Sequence, residues 1–92
     1  TVARLSGAAY LVVTPAATRP ADQHWVERHV GSFRVTITDV TAAEGVLAVM
    51  GPNARELMAR VSPDDFSNAA HPFGTAREIE IGLGLARAHR VS

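Results

Sequence analysis

Cysteine is absent from this 92-residue chain, which excludes disulfides, zinc–thiolate sites and thiol catalysis together. Lysine is absent too: the nine basic residues are all arginine, and nine acidic residues cancel them. A balanced chain has no basic stripe to follow a phosphate backbone, so a nucleic-acid partner is not expected. Arginine without lysine, beside abundant alanine, reads as the base composition of the gene. Aromatic residues make up only 5% of the chain, too few for a base-stacking platform. Long apolar runs are also missing. The run Val46-Leu47-Ala48-Val49-Met50 is among the longest, against the roughly 20 residues a membrane-spanning helix needs. The first residues show no charged stretch followed by an apolar one, so no secretory signal is visible and no membrane partner is expected.

What is present suits one small core. A chain of 92 residues supports one domain of marginal stability, not two. It starts on Thr1 instead of Met and stops on Ser92 directly after a strand-like stretch. Residues 1–92 are therefore read as a single partial domain, a piece of something longer.

The pattern along the chain alternates strand and helix signals. Ser6-Gly7 marks a turn, and residues 8–14 read as a strand centred on Tyr10-Leu11-Val12-Val13, stopped by Pro15. Pro20 suits a first helical turn, Asp22 favours its positive end, and Ala21, Trp25, Val26 and Val30 share a face up to Gly31. Residues 34–38 alternate as a strand should, with Val35 and Ile37 on one side. The run 46–50 has the pattern of a central strand buried on both faces, ended by Gly51-Pro52. Asn53 with Glu56 resembles a capping box, and Ala54, Leu57, Met58 and Val61 recur at helical spacing. Ser62-Pro63-Asp64-Asp65-Phe66 suits a further short helical turn, and residues 67–75 read as loop. Residues 77–81 alternate strictly, Ile79 and Ile81 inward against Glu78 and Glu80. Gly82 and Gly84 mark a bend, and residues 86–91 form a last strand. The order β-α-β-β-α-β predicts an α+β fold of the ferredoxin-like, split βαβ kind: an antiparallel sheet with two helices on one face.

Few residues carry a chemical signal. His24 and His29 lie five apart on one helix, about 140° around its axis, whereas a metal pair needs a spacing of three or four. They read as surface groups, and His71 and His89 have no carboxylate close in sequence. Asp64-Asp65 could resemble a metal pair, but two acids at the start of a helical turn are what the helix dipole favours. Gly51-Pro52-Asn53 follows a strand and opens a helix as phosphate loops do, yet it has one glycine and no Gly-Lys-Ser/Thr. Gly82-Leu83-Gly84 is too short for a dinucleotide fingerprint. Arg87, His89 and Arg90 are expected to face Glu78 and Glu80 across a strand pair. No catalytic residue and no metal ligand is assigned.

The stretches Asp39-Val40-Thr41, the block from Val46 through Gly51-Pro52-Asn53-Ala54-Arg55-Glu56-Leu57-Met58, Ser62-Pro63-Asp64-Asp65-Phe66-Ser67-Asn68-Ala69-Ala70 and Pro72-Phe73 carry a further signal. They closely resemble the folate-binding aminomethyltransferase-like domain of dimethylglycine and sarcosine dehydrogenases, and more distantly the glycine-cleavage T-protein. The Tyr10-Leu11-Val12-Val13-Thr14 strand and the Trp25 helix are similar too, so the resemblance covers essentially the whole chain. It implies a fragment of a domain in which bound tetrahydrofolate captures one-carbon units from the oxidative demethylation of N-methyl amines. The oxidation itself would belong to FAD in a separate domain of the parent chain. The parent would be a dimethylglycine- or sarcosine-dehydrogenase-type oxidoreductase or an aminomethyltransferase, and the fragment alone would be inactive. Its partners would be a small-molecule folate and the remainder of its own parent chain. The expected place is the bacterial cytoplasm, or the mitochondrial matrix in a eukaryote.

The resemblance also places the family's two working carboxylates: an aspartate on a strand before Thr1, and a glutamate in a Tyr-x-Gly-Glu-type segment after Ser92. Within the chain, Val13, Thr14 and Pro15 correspond to positions lining the pterin pocket. Pro15 stands where the T-protein tends to have asparagine, which leaves backbone carbonyls and shape for contact there. The competing reading is a stand-alone small-ligand regulatory or protein-interaction module of ferredoxin-like fold, since fold does not decide function.

Overall fold

The computed structural model describes residues 1–91. They divide into two compact units, one made of Thr1 and Val13–Leu47, the other of Val2–Val12 and residues 48–91. Together they hold two two-stranded antiparallel sheets and two helices. This is the expected α+β class, consistent with part of a ferredoxin-like arrangement.

The first unit is built around α1 (Arg19–Arg28), entered through a 3-10 turn at Ala16–Thr18. Pro20 falls in the first helical turn, where its missing N–H is one the helix could not have used. Thr18 precedes the helix, and its hydroxyl donates to the Asp22 carboxylate at 2.7 Å. The far end stops two residues short of Val30. There the backbone N–H of His29 donates to the Val26 carbonyl at 3.0 Å. Its imidazole Nδ1 lies 2.6 Å from the Trp25 carbonyl and its ring stacks on the indole at 3.9 Å. Gly31, at φ +56°, then turns the chain through the left-handed region.

The second unit contains the rest. β1 (Val2–Arg4) pairs antiparallel with β2 (Tyr10–Val12), Ala3 opposite Leu11. α2 (Ala54–Val61) begins after Gly51, whose carbonyl accepts from the Ala54 N–H at 3.1 Å. It ends at Ser62 because Pro63 follows: the proline ring drives Ser62 into the extended region (φ −139°, ψ 142°). β3 (Ala76–Ile81) and β4 (Gly84–His89) form a hairpin, Glu78 opposite Arg87 and Ile79 opposite Ala86. Only Gly82-Leu83 connects them. Gly82 takes φ +55° and Leu83 a negative φ, the combination of a type II′ turn. Ile79 is the most buried apolar residue, 3% exposed, with Phe66 nearly as enclosed.

Several local expectations need correction. Residues 34–38 and 46–50 enter no ladder, and the run expected to be buried on both faces is exposed, Leu47 by 92%. Hydrophobic periodicity fixes which faces a strand would bury, but a strand exists only where another backbone takes its hydrogen bonds. The Asn53–Glu56 capping box does not form. Asn53 has φ −100° and ψ 11°, not the extended conformation that aims a capping side chain at the helix amides. Glu56 instead reaches forward to Arg60 at 2.8 Å. No helical turn starts at Ser62-Pro63, where the chain makes bends.

Candidate functional site

Val13, Thr14 and Pro15 leave β2 as one extended, exposed segment in the first unit. Val13 is held against Thr1: its N–H donates to the Thr1 carbonyl at 2.8 Å, and its carbonyl accepts from the Thr1 nitrogen at 2.9 Å. Pro15, at φ −60° and ψ 141°, turns its carbonyl into the following 3-10 turn. There it accepts from the Thr18 N–H at 3.1 Å, with the Thr18 hydroxyl, whose proton goes to Asp22, 3.2 Å away. Between these anchors Thr14 makes no hydrogen bond with any described residue. The segment therefore presents an apolar flank, a hydroxyl and a carbonyl on a chain fixed at both ends. It contains no acid or base.

Elsewhere in the same unit, Asp39 accepts from the Thr41 hydroxyl and from the Thr41 N–H at 2.9 Å. These bonds, with Arg19 at 3.8 Å, hold the Asp39 carboxyl below the usual carboxylate range. Both groups are spent on closing a turn.

The densest polar cluster lies in the second unit, on the loop between α2 and β3. Asp64 and Asp65 do not act together. The Asp64 carboxylate accepts from the Glu80 N–H at 2.8 Å, covering the outer edge of β3, and from the Ser62 hydroxyl at 3.3 Å. The Asp65 carboxylate accepts from the Ser67 N–H at 2.8 Å. That bond, then the Ser67 hydroxyl and Arg77, keeps its carboxyl below the ordinary value. The sequence reading had both acids serving a helix start. With no helix there, each instead satisfies a backbone amide that would otherwise lack a partner.

Arg77 crosses this loop. Its guanidinium lies 5.3 Å from the Phe66 ring centroid and donates to the carbonyls of Asp65 and Ala70. The His71 ring meets Phe66 edge-on, with centroids 6.0 Å apart, and the residue is only 5% exposed. From sequence, Arg77 has no assigned role and His71 is set aside as a loop histidine without a carboxylate near it. The signal for Arg77 was present, because it sits two residues before Ile79 and so shares the inward face of β3. Nothing in the residue pattern marks His71 as buried: its ring meets Phe66 and Thr75 in its own loop, and Arg77, His89 and Arg90 come from the strand pair that follows. Glu78 does stand opposite Arg87, as expected, while His89 lies opposite Ala76.

Among the described residues no three His, Cys, Asp or Glu groups converge as a metal site. No helix among them is long and apolar enough to cross a membrane. A shallow concavity at the hairpin tip, lined by Glu80, Gly82, Leu83, Gly84 and Leu85, has an open mouth and one charged group. The geometry thus contains exposed framework and a packed loop, with no catalytic constellation.

Comparison with known families supplies what geometry leaves open. The model of the GCVT N-terminal domain matches residues 1–92. The chain belongs to the GCVT N-terminal domain family. Among curated relatives, the 4-methylaminobutanoate oxidase (formaldehyde-forming) of Paenarthrobacter nicotinovorans is 38% identical over all of this chain and 11% of its own length. The mitochondrial dimethylglycine dehydrogenase of Homo sapiens is 28% identical over the same shares. An aminomethyltransferase of Staphylococcus haemolyticus is 34% identical over 78% of this chain and 20% of its own. The chain thus spans about a tenth of the length of the two amine-oxidising relatives. No solved structure matches it. The family resemblance read from the block between Val46 and Met58 is therefore correct.

Proposed function

We propose that this chain is part of a tetrahydrofolate-binding domain that captures one-carbon units released from an N-methyl amine, within a larger flavin-dependent dehydrogenase. The family match over the full chain carries the reading. Two relatives whose names specify methylated amine substrates, matched over all of these residues, support it. When bound, tetrahydrofolate supplies amine nitrogens that condense with carbon at the formaldehyde oxidation level, with loss of water. FAD in a separate domain would perform the preceding two-electron oxidation.

Val13, Thr14 and Pro15 fit one wall of such a pocket. A pterin is a flat, polar heterocycle, and an extended segment with an apolar flank and an unspent hydroxyl can lie along its edge. Pro15 offers no N–H, and its carbonyl is engaged by Thr18, so contact at that end is by shape. The segment holds no carboxylate to move a proton. In this reading the acids come from parts of the polypeptide flanking residues 1–92, and the chain by itself is inactive. The protein's place would be the bacterial cytoplasm or the mitochondrial matrix.

The test is titration of the full-length protein with a stable reduced folate such as 5-formyltetrahydrofolate. Saturable binding is expected, weakened at least tenfold by Thr14→Arg, which fills the wall. Residues 1–92 alone should bind weakly or not at all, because a pocket missing most of its walls loses burial and anchors together. No binding by the full-length protein, or indifference to Thr14→Arg, would refute the folate reading or the site in turn. The name of the Paenarthrobacter relative favours a second outcome, release of the carbon as free formaldehyde. Turnover of an N-methyl amine with tetrahydrofolate present separates the two by whether methylenetetrahydrofolate or formaldehyde accumulates.

A further inference from the structure

We propose that His71 is an acid-sensitive latch: as a neutral imidazole it holds the loop of residues 66–75 against the β3–β4 hairpin, and protonation releases that loop. His71 is 5% exposed, packed edge-on to Phe66 at 6.0 Å. Its Nδ1 lies 3.3 Å from the Thr75 hydroxyl. That hydroxyl donates its one proton to the Pro72 carbonyl at 2.6 Å, so its oxygen accepts from an Nδ1–H. The neutral Nδ1–H tautomer therefore satisfies this contact, and a second ring proton finds no acceptor among the described residues.

The charged groups facing the ring are of one sign. Arg77 reaches it from β3, His89 from β4, and Arg90 from the residue beyond β4. Arg90 also donates to the His71 carbonyl at 3.0 Å. The loop's own acids are turned elsewhere: Asp65 to the Ser67 amide, Asp64 to the Glu80 amide and the Ser62 hydroxyl. Among the described residues no carboxylate bonds to the imidazole. Burial first, then Arg77, Arg90 and His89, push the His71 ring below the ordinary histidine value.

The sign follows. A group whose proton affinity is lower in the closed loop than in the open one binds more protons when open. Closure is thus fully stable above the ordinary histidine value near 6.5. It weakens as pH falls below that value and levels off once the closed-state ring itself is protonated. The loop amides that report closure are identifiable. His71 N–H donates to the Ser67 carbonyl at 2.9 Å, Gly74 N–H to the Arg90 carbonyl at 2.9 Å, and Arg90 N–H to the Thr75 carbonyl at 2.9 Å.

Histidine ring titration and amide exchange by NMR between pH 8 and 5, corrected for intrinsic exchange, test this on the protein. His71 should titrate below the ordinary histidine value near 6.5. Protection of the His71, Gly74 and Arg90 amides should fall by up to about tenfold per pH unit below about 6.5, while the Ile79 amide within the ladder changes less. His71→Gln should abolish the pH dependence. Titration of His71 at or above the ordinary histidine value, or loop protection that does not depend on pH, overturns the latch, and both are read on the unsubstituted protein. A pH dependence that survives unchanged in His71→Gln overturns it as well.

Discussion

Removing the Asp64 carboxylate should loosen the β3–β4 hairpin from α2, and the structure sets the size of the effect. One oxygen of Asp64 accepts from the Glu80 N–H at 2.8 Å and from the Ser62 hydroxyl at 3.3 Å. The first bond stands in for a neighbouring strand: Glu80 lies in a position whose amide points away from β4, and without Asp64 that amide has no protein partner. A hydrogen bond to a charged group contributes roughly 1.5–3 kcal/mol. Asp64 is only half-buried, so water can replace part of the bond, and the low end applies. Asp64→Ala should therefore cost ~1.5 kcal/mol, about a tenfold shift in the folded-to-unfolded ratio. Asp64→Asn keeps an acceptor in place and loses only the charge, so it should cost roughly a third of that. Urea denaturation measures both, and exchange of the Glu80 amide shows whether the loss is local. The reasoning fails if Asp64→Ala lies within about 0.3 kcal/mol of the parent, or if the asparagine variant is as damaging as alanine.

Two other outcomes follow from local geometry. Gly82→Ala meets no atom within 4 Å, so its whole cost is the backbone's φ of +55°. That cost should be roughly 1 kcal/mol in denaturation, with Gly82→Asn milder because asparagine tolerates the left-handed region. Asp39 should titrate below an ordinary aspartate by NMR, because Thr41 and Arg19 favour its charged form. Its contribution to the turn is present above about pH 3.8 and is lost as pH falls through its lowered value, and Thr41→Val should move the titration back upward.

Local signals in the chain translated well where the responsible interaction is also local. Pro20 and Asp22 placed the start of α1, though the helix ends at Arg28, short of Gly31, and the Ala54-Leu57-Met58-Val61 spacing placed α2. The alternation from Arg77 to Ile81 named the buried Ile79 and put Glu78 opposite Arg87. The paired glycines marked a bend that proved to be a two-residue hairpin turn. Legibility stopped at residues 46–50, whose apolar pattern describes a strand without saying what it pairs with. It stopped again at the loop after α2. Asp64, Asp65, Phe66, His71 and Arg77 meet there through bonds between residues up to 19 apart.

By itself, then, the sequence determined the class of fold, the two helices, the hairpin and the family. All of these rest on periodicity, turn chemistry or a motif contained within a short stretch. Tertiary structure alone decided how polar groups are satisfied: an aspartate covering a strand edge, an arginine across a phenylalanine, a histidine closed in among cations. The physical reason is that a hydrogen-bond partner or a desolvating neighbour is a property of position in space. Residue order constrains that position only after the chain has closed on itself.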